Sequence, residues 1–120
     1  MIRTANVTDY ESLPPREEAY RVLVMKKWPR GVPKDEIDHW IKDLGASPDL
    51  LKEYKKGRVT AAGLQSRYFA EVTEPGRREL VQELQRRSLA MTDKVMLLLC
   101  DGENEDGCVR NALKDILEAT

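Results

Sequence analysis

A chain of 120 residues, 41% apolar and 34% charged, is long enough for one sizeable core and too rich in apolar groups to stay disordered. Its formal net charge of −1 removes any global pull toward nucleic acid or a membrane surface, so binding of either kind needs a local patch. No apolar run reaches the roughly 18 residues of a membrane span, and the opening MIRTANVTDY has no signal-peptide core. A cytoplasmic protein of one domain, residues 1–120, without a membrane partner, is therefore expected. Heavy use of Lys, Arg and Glu with few Asn and Gln is also the usage of a thermophile.

Residues 2–7 read as a short strand, broken by Leu13-Pro14-Pro15, with Pro15 opening a helical turn over residues 16–19. Residues 20–28, YRVLVMKKW, predict a strong strand. Its apolar centre Val22-Leu23-Val24-Met25 suits burial on both faces of a sheet, and Pro29 and Gly31 end it. Over residues 33–44, Ile37, Trp40, Ile41 and Leu44 at i, i+3, i+4, i+7 predict a helix closed by Gly45. Ser47-Pro48 caps a short helix carrying Leu50, Leu51 and Tyr54. Thr60 caps a third helix, with Leu64, Tyr68 and Val72 at spacing four; a fourth follows Gly76 along Leu80, Val81 and Leu84.

Residues 94–100 predict a second strong strand, and residues 108–119 a closing helix with Val109, Ala112, Leu113, Ile116 and Leu117 inward. Helices that follow buried strands imply an α/β fold. The expectation is a small, mainly parallel sheet of about three strands under several helices, with Rossmann-like layering.

In open parallel sheets, ligands bind beyond the carboxyl ends of the strands. Two segments leave those ends here: Lys26-Lys27-Trp28-Pro29-Arg30-Gly31, and the acidic loop of residues 101–107. If the strands are parallel, both lie on one rim, with Cys100, Cys108 and Arg110 nearby. Cys108 sits at a helix start, where the dipole and Arg110 favour a thiolate and Glu103, Glu105 and Asp106 oppose it. It is the candidate catalytic thiol, set against the leading reading of a partly buried, inert cysteine. In a cytoplasmic chain the two cysteines are expected to be reduced rather than bridged; a Cys100–Cys108 disulfide is the minor reading, and closing so short a loop would contribute about 2–3 kcal/mol.

Metal sites are not expected. Two cysteines and a distant His39 do not make structural zinc. Asp101-x-Glu103-x-Glu105 has its glycine at the wrong position for a calcium loop, and Ala112 where a bidentate Glu is needed. Arg110 opposes the dipole of its own helix, and is either offset by Glu105 or Asp106 or holds an anionic ligand. A Cys-x5-Arg phosphatase loop and a glycine-rich phosphate cradle are both absent. Lys26, Lys27, Arg30 and Lys34 make a small basic patch suited to an anion or RNA. His39 lies off the apolar stripe and reads as a surface residue. Tyr68 lies on the inner spacing, which favours core packing.

Three stretches resemble a known family. YRVLVMKKWPRGVPKDEIDHWIKDLGASPDLL, SRYFAEV and VMLLLCDGENEDGCVRNAL are similar to the strand–WPRG–helix, Arg-Tyr-x-x-Glu-Leu and closing Leu-Leu-Cys … Cys-His-Arg segments of domain of unknown function 488. The resemblance covers roughly residues 2–117. It implies a compact α/β domain and no established activity. Trp28-Pro29-Arg30-Gly31, Tyr68, Glu71, Cys100, Cys108 and Arg110 match its recurring residues. Val109 stands where that motif has His, which removes the obvious thiol-activating base, and Met25-Lys26 stand where many relatives have Asp-Arg.

The resulting expectation is a domain that binds a small anionic ligand at its C-terminal rim, with thiol chemistry as an added option. Lys27, Trp28, Arg30, Tyr68, Cys100 and Arg110 are the ligand-binding candidates. A structural or partner-binding domain is the alternative, and a nucleic-acid module ranks below both. The reaction, cofactor and oligomeric state are left open.

Overall fold

Apolar side chains in unbroken succession need cover on both faces of a sheet. The run VMLLLC meets that need as strand β4 (Val95–Cys100), in which Met96 to Cys100 are all buried. The structure, a computed structural model, describes residues 1–101 and 109–119. Strand β1 (Ile2–Asn6) pairs in parallel along one side of β4, and β2 (Ala19–Leu23) in parallel along the other. A short strand β3 (His39–Trp40) joins β2, also in parallel, giving a four-stranded sheet in the order β1-β4-β2-β3. The helices are α1 (Pro48–Lys55), α2 (Ala61–Val72), α3 (Arg77–Ala90) and α4 (Arg110–Glu118). None of the helices is long and apolar enough to cross a membrane, among the described residues.

The period-two alternation of the strands divides the core. Val22, Met96 and Leu98 pack with Leu64, Tyr68, Leu84 and Leu113 of the helices. Leu23, Leu97 and Leu99 face the other way, under Val7, Val32, Trp28 and Trp40. That second face is covered by the 3₁₀ turn Val7–Ser12 and the long connection after β2, among the described residues.

The parallel α/β architecture agrees with the sequence expectation, with two differences. The sheet has a fourth strand, because residues 33–44 do not form one helix: two 3₁₀ turns, Lys34–Glu36 and Lys42–Leu44, flank β3. The helical spacing is real, but its members serve different faces. Ile37 and Trp40 pack with the Leu97–Leu99 cluster, while Ile41 and Leu44 pack with the helical cluster. A single helical stripe cannot reach both sides of a sheet, so the segment runs extended past its edge. The second difference is that β2 ends at Leu23 and not at Trp28. Its ladder with β4 ends at Leu99, and the Met25 carbonyl accepts the Trp40 indole N–H at 2.8 Å.

A polar network fastens the second face. Arg21, in the middle of β2, is 4% exposed, and its Nη1 donates to Glu36 Oε2 at 2.6 Å and its Nη2 to the Pro14 carbonyl at 3.1 Å. The Arg21 N–H donates to Asp38 Oδ2 at 2.8 Å, and Arg16 pairs with the same carboxylate. Removing the carboxylate in Glu36→Ala leaves a buried guanidinium short of an acceptor. The expected cost is about 1–3 kcal/mol, below that of a fully buried pair because the Glu36 side chain is 32% exposed. A urea midpoint unchanged from the wild type, at equal slope, would show that the network does not hold the fold.

Candidate functional site

The strand order marks the rim where a crevice is expected. After β4 the chain continues into α4, which packs over β1, whereas after β2 it runs to β3 on the opposite side. Neighbouring parallel strands whose connections part in this way leave a gap beyond their carboxyl ends. Here the two exits are residues 24–26 after β2 and Asp101 after β4.

One wall is built on α4. Arg110, the first residue of that helix, is 5% exposed; its Nη1 donates toward the Cys100 carbonyl at 3.4 Å and lies 3.5 Å from Cys100 Sγ. A cation in the first turn opposes the helix dipole, and the carbonyl at the strand end offsets that cost. Thr4 Oγ1 donates to Asn111 Oδ1 at 2.8 Å, which ties the same turn to β1. Cys100 is disulfide-bonded, which corrects the expectation of reduced cysteines. Cys108, with Glu103, Glu105 and Asp106, lies outside the described residues.

The other wall is the loop leaving β2, braced by the turn that follows β3. Gly45 makes the brace possible: a Cβ there would stand 2.6 Å from the Lys26 nitrogen and 2.7 Å from the Met25 carbonyl carbon. Tyr68 and Glu71, a turn apart on α2, hold this brace. The Tyr68 hydroxyl donates to the Leu44 carbonyl at 2.5 Å, and Glu71 accepts from Ser47 N at 3.0 Å and Ser47 Oγ at 2.6 Å. Ser47 in turn caps α1, accepting from Leu50 N. Tyr68 is wholly buried, and burial pushes its phenol well above the ordinary range. It therefore reaches the rim only through the turn it supports.

The WPRG segment forms its own turn. Trp28 Nε1 donates to the Val32 carbonyl at 2.8 Å, and Gly31 has a φ of +86°, a left-handed conformation that favours glycine. Lys27 and Arg30 are exposed on this turn. Trp28 packs edge-on against Trp40, with ring centroids 5.2 Å apart. It does so on the face of Leu97 and Leu99, whereas Cys100 alternates with Met96 and Leu98 on the helical face.

The structure thus brings Cys100 and Arg110 together and sets Trp28 on the other side of the sheet. Sequence reasoning missed Trp40, Gly45 and Arg21 as builders of this end. Arg21 did carry a signal, a lone charge inside an apolar strand followed by the acids of KDEID. His39, read as a surface residue, is half-buried in β3, and its Nδ1 is buried without a hydrogen-bond partner. Burial, then the charge of Arg87, lowers its pKa. No group of three His, Cys, Asp or Glu gathers for a metal among the described residues.

Two substitutions test the brace. Gly45→Ala drives a methyl group into backbone that has no flexible end to move, with an expected loss of about 1–3 kcal/mol by denaturant titration. Tyr68→Phe removes one buried hydrogen bond, worth about 0.5–1.5 kcal/mol near neutral pH. It also changes the alkaline limb. With the folded phenol raised above its unfolded value of about 10, wild-type stability is complete below that pH and falls as pH rises past it. Tyr68→Phe is expected to fall less steeply there, and an identical slope would place Tyr68's ionisation outside the stability of the fold.

The family profile DUF488-N3a, described as the active DUF488-N3 subclade, matches residues 2–120. The uncharacterized protein YeaO of Escherichia coli strain K12 is 33% identical over 61 residues, 49% of this chain and 53% of YeaO. The chain thus covers about half the length of that curated relative. No solved structure matches. With the profile spanning nearly every residue and a parallel α/β sheet carrying the Cys100–Arg110 pair, the chain belongs to the DUF488 family.

Proposed function

We propose that residues 1–120 form one α/β domain that binds a small anionic ligand at the rim between β2 and β4, with Cys100 as its thiol–disulfide centre. One observation carries this: a guanidinium 5% exposed, standing beside the Cys100 sulfur at the point where the strand order reverses. Such a crevice is where parallel sheets take ligands. Arg offers a planar fork of donors matched to carboxylate or phosphate, and Lys27 and Arg30 add exposed charge on the exit from β2. When a dithiol reduces the Cys100 disulfide, the same guanidinium stabilises the thiolate. A family profile described as an active subclade accords with a working site here.

Amide resonances of the labelled protein, followed during titration with pyrophosphate, test this. Saturable shifts centred on residues 24–27, 101 and 109–111 support the proposal; shifts scattered over the lysine-bearing helices overturn it. Arg110→Lys, which keeps the charge and loses the fork, is expected to weaken binding about tenfold. Since a buried substitution can unfold the chain, the exposed double variant Lys27→Ala/Arg30→Ala serves beside it. It is expected to weaken binding about fivefold with no change in the urea midpoint, and unaltered affinity in a folded double variant counts against the rim.

A further inference from the structure

A cleft of about 360 Å³ opens on the face of the sheet opposite Cys100, lined by Trp28, Lys34, Ile37, Asp38, His39 and Trp40. Nothing in the rim chemistry uses it. Its distinguishing feature is a pair of half-buried indoles that cannot turn. Trp28 Nε1 is held by the Val32 carbonyl and Trp40 Nε1 by the Met25 carbonyl, both at 2.8 Å. The rings meet edge to face at 74°, so they form two walls of a corner. A flat molecule stacked on one indole meets the positively polarised edge of the other. Because hydrogen bonds already fix both rings, stacking costs little side-chain entropy.

The cation of this cleft is Lys34; Lys42, whose Nζ stands 4.4 Å over the Trp40 ring, lines the neighbouring cleft. The one carboxylate in the lining, Asp38, is committed elsewhere: it accepts from the Arg21 N–H and pairs with Arg16. What remains for a ligand is aromatic surface with one cation, Lys34, at its margin. An aliphatic ligand leaves the cation unused, and a bare anion leaves the indoles unused. A planar base joined to a phosphate uses both, and the volume lies within the range of about 300–1,000 Å³ common for ligand sites.

We propose that the Trp28–Trp40 cleft binds a nucleotide, its base stacked on an indole and its phosphate toward Lys34. The ligand is a free mononucleotide or a nucleotide within a single strand, since both present the same chemistry. This site goes beyond the rim and does not depend on Arg110.

Both tryptophans of the chain line this cleft, and Trp40 also borders the neighbouring cleft of Ile41, Lys42, Leu80 and Arg87, so intrinsic tryptophan fluorescence is read together with Lys34→Ala, which alters this cleft and not its neighbour. The full chain is titrated with AMP, adenosine, ribose 5-phosphate and a short single-stranded oligoadenylate. AMP is expected to quench saturably, adenosine to quench with weaker affinity, and ribose 5-phosphate not to quench. Lys34→Ala, at an exposed position, is expected to weaken AMP about fivefold and leave adenosine unchanged. An oligoadenylate that binds more tightly than its number of bases explains assigns the site to a strand; affinity no better than that of AMP assigns it to the free nucleotide. Quenching that never saturates, or that ribose 5-phosphate reproduces, overturns the proposal. Arg110→Lys is expected to leave the quenching untouched, so failure of the rim and failure of this cleft are read separately.

Discussion

Strand β4 is paired in parallel on both sides, and the remaining architecture answers that constraint. A central parallel strand has every peptide group committed to a neighbour and both faces closed to water. Neighbouring parallel strands also need long crossovers, so β1, β2 and β4 are separated by segments that must pass over the sheet. The helices of residues 48–90 form the crossover before β4, and the apolar faces of α2 and α3 close over it. The same constraint places all carboxyl ends on one rim.

The two faces of the sheet are closed by different means. Helices cover one face with a continuous apolar layer. The other is covered by loops, which cannot satisfy their own backbone groups and need side chains to do so. Arg21 provides this, binding the Pro14 and Glu36 carbonyls together with the Glu36 carboxylate. Trp28 and Trp40 do the same for Val32 and Met25. Rings used in this way keep a fixed orientation at the edge of the core, which is why the loop-covered face holds a cleft lined by both indoles.

The rim joins the two systems. Its α4 wall is fixed from β1 through Thr4 and Asn111, and its β2 wall from α2 through Tyr68, Glu71 and the close approach at Gly45. Arg110 and Cys100 therefore sit between elements that are each tied independently to the core. Such rigidity limits how far the guanidinium can shift relative to the sulfur.

Much of this was legible in the amino-acid order. The unbroken run VMLLLC declared a strand buried on both faces, and the proline, serine, threonine and glycine signals placed α1, α2 and α3 close to where they lie. Local stereochemistry and hydrophobic period determine such features, and both are written in consecutive residues. The parallel order implies a common rim, and the sequence puts Cys100 and Arg110 on either side of the loop that leaves it. The tertiary structure alone decided residues 33–44, whose helical spacing divides between two faces of a sheet that the segment's own sequence does not describe. It likewise decided that Tyr68 is a brace and that Trp28 stands apart from Cys100. Which side of a sheet a side chain takes depends on register with strands about seventy residues away, and that pairing is fixed by packing across the whole core.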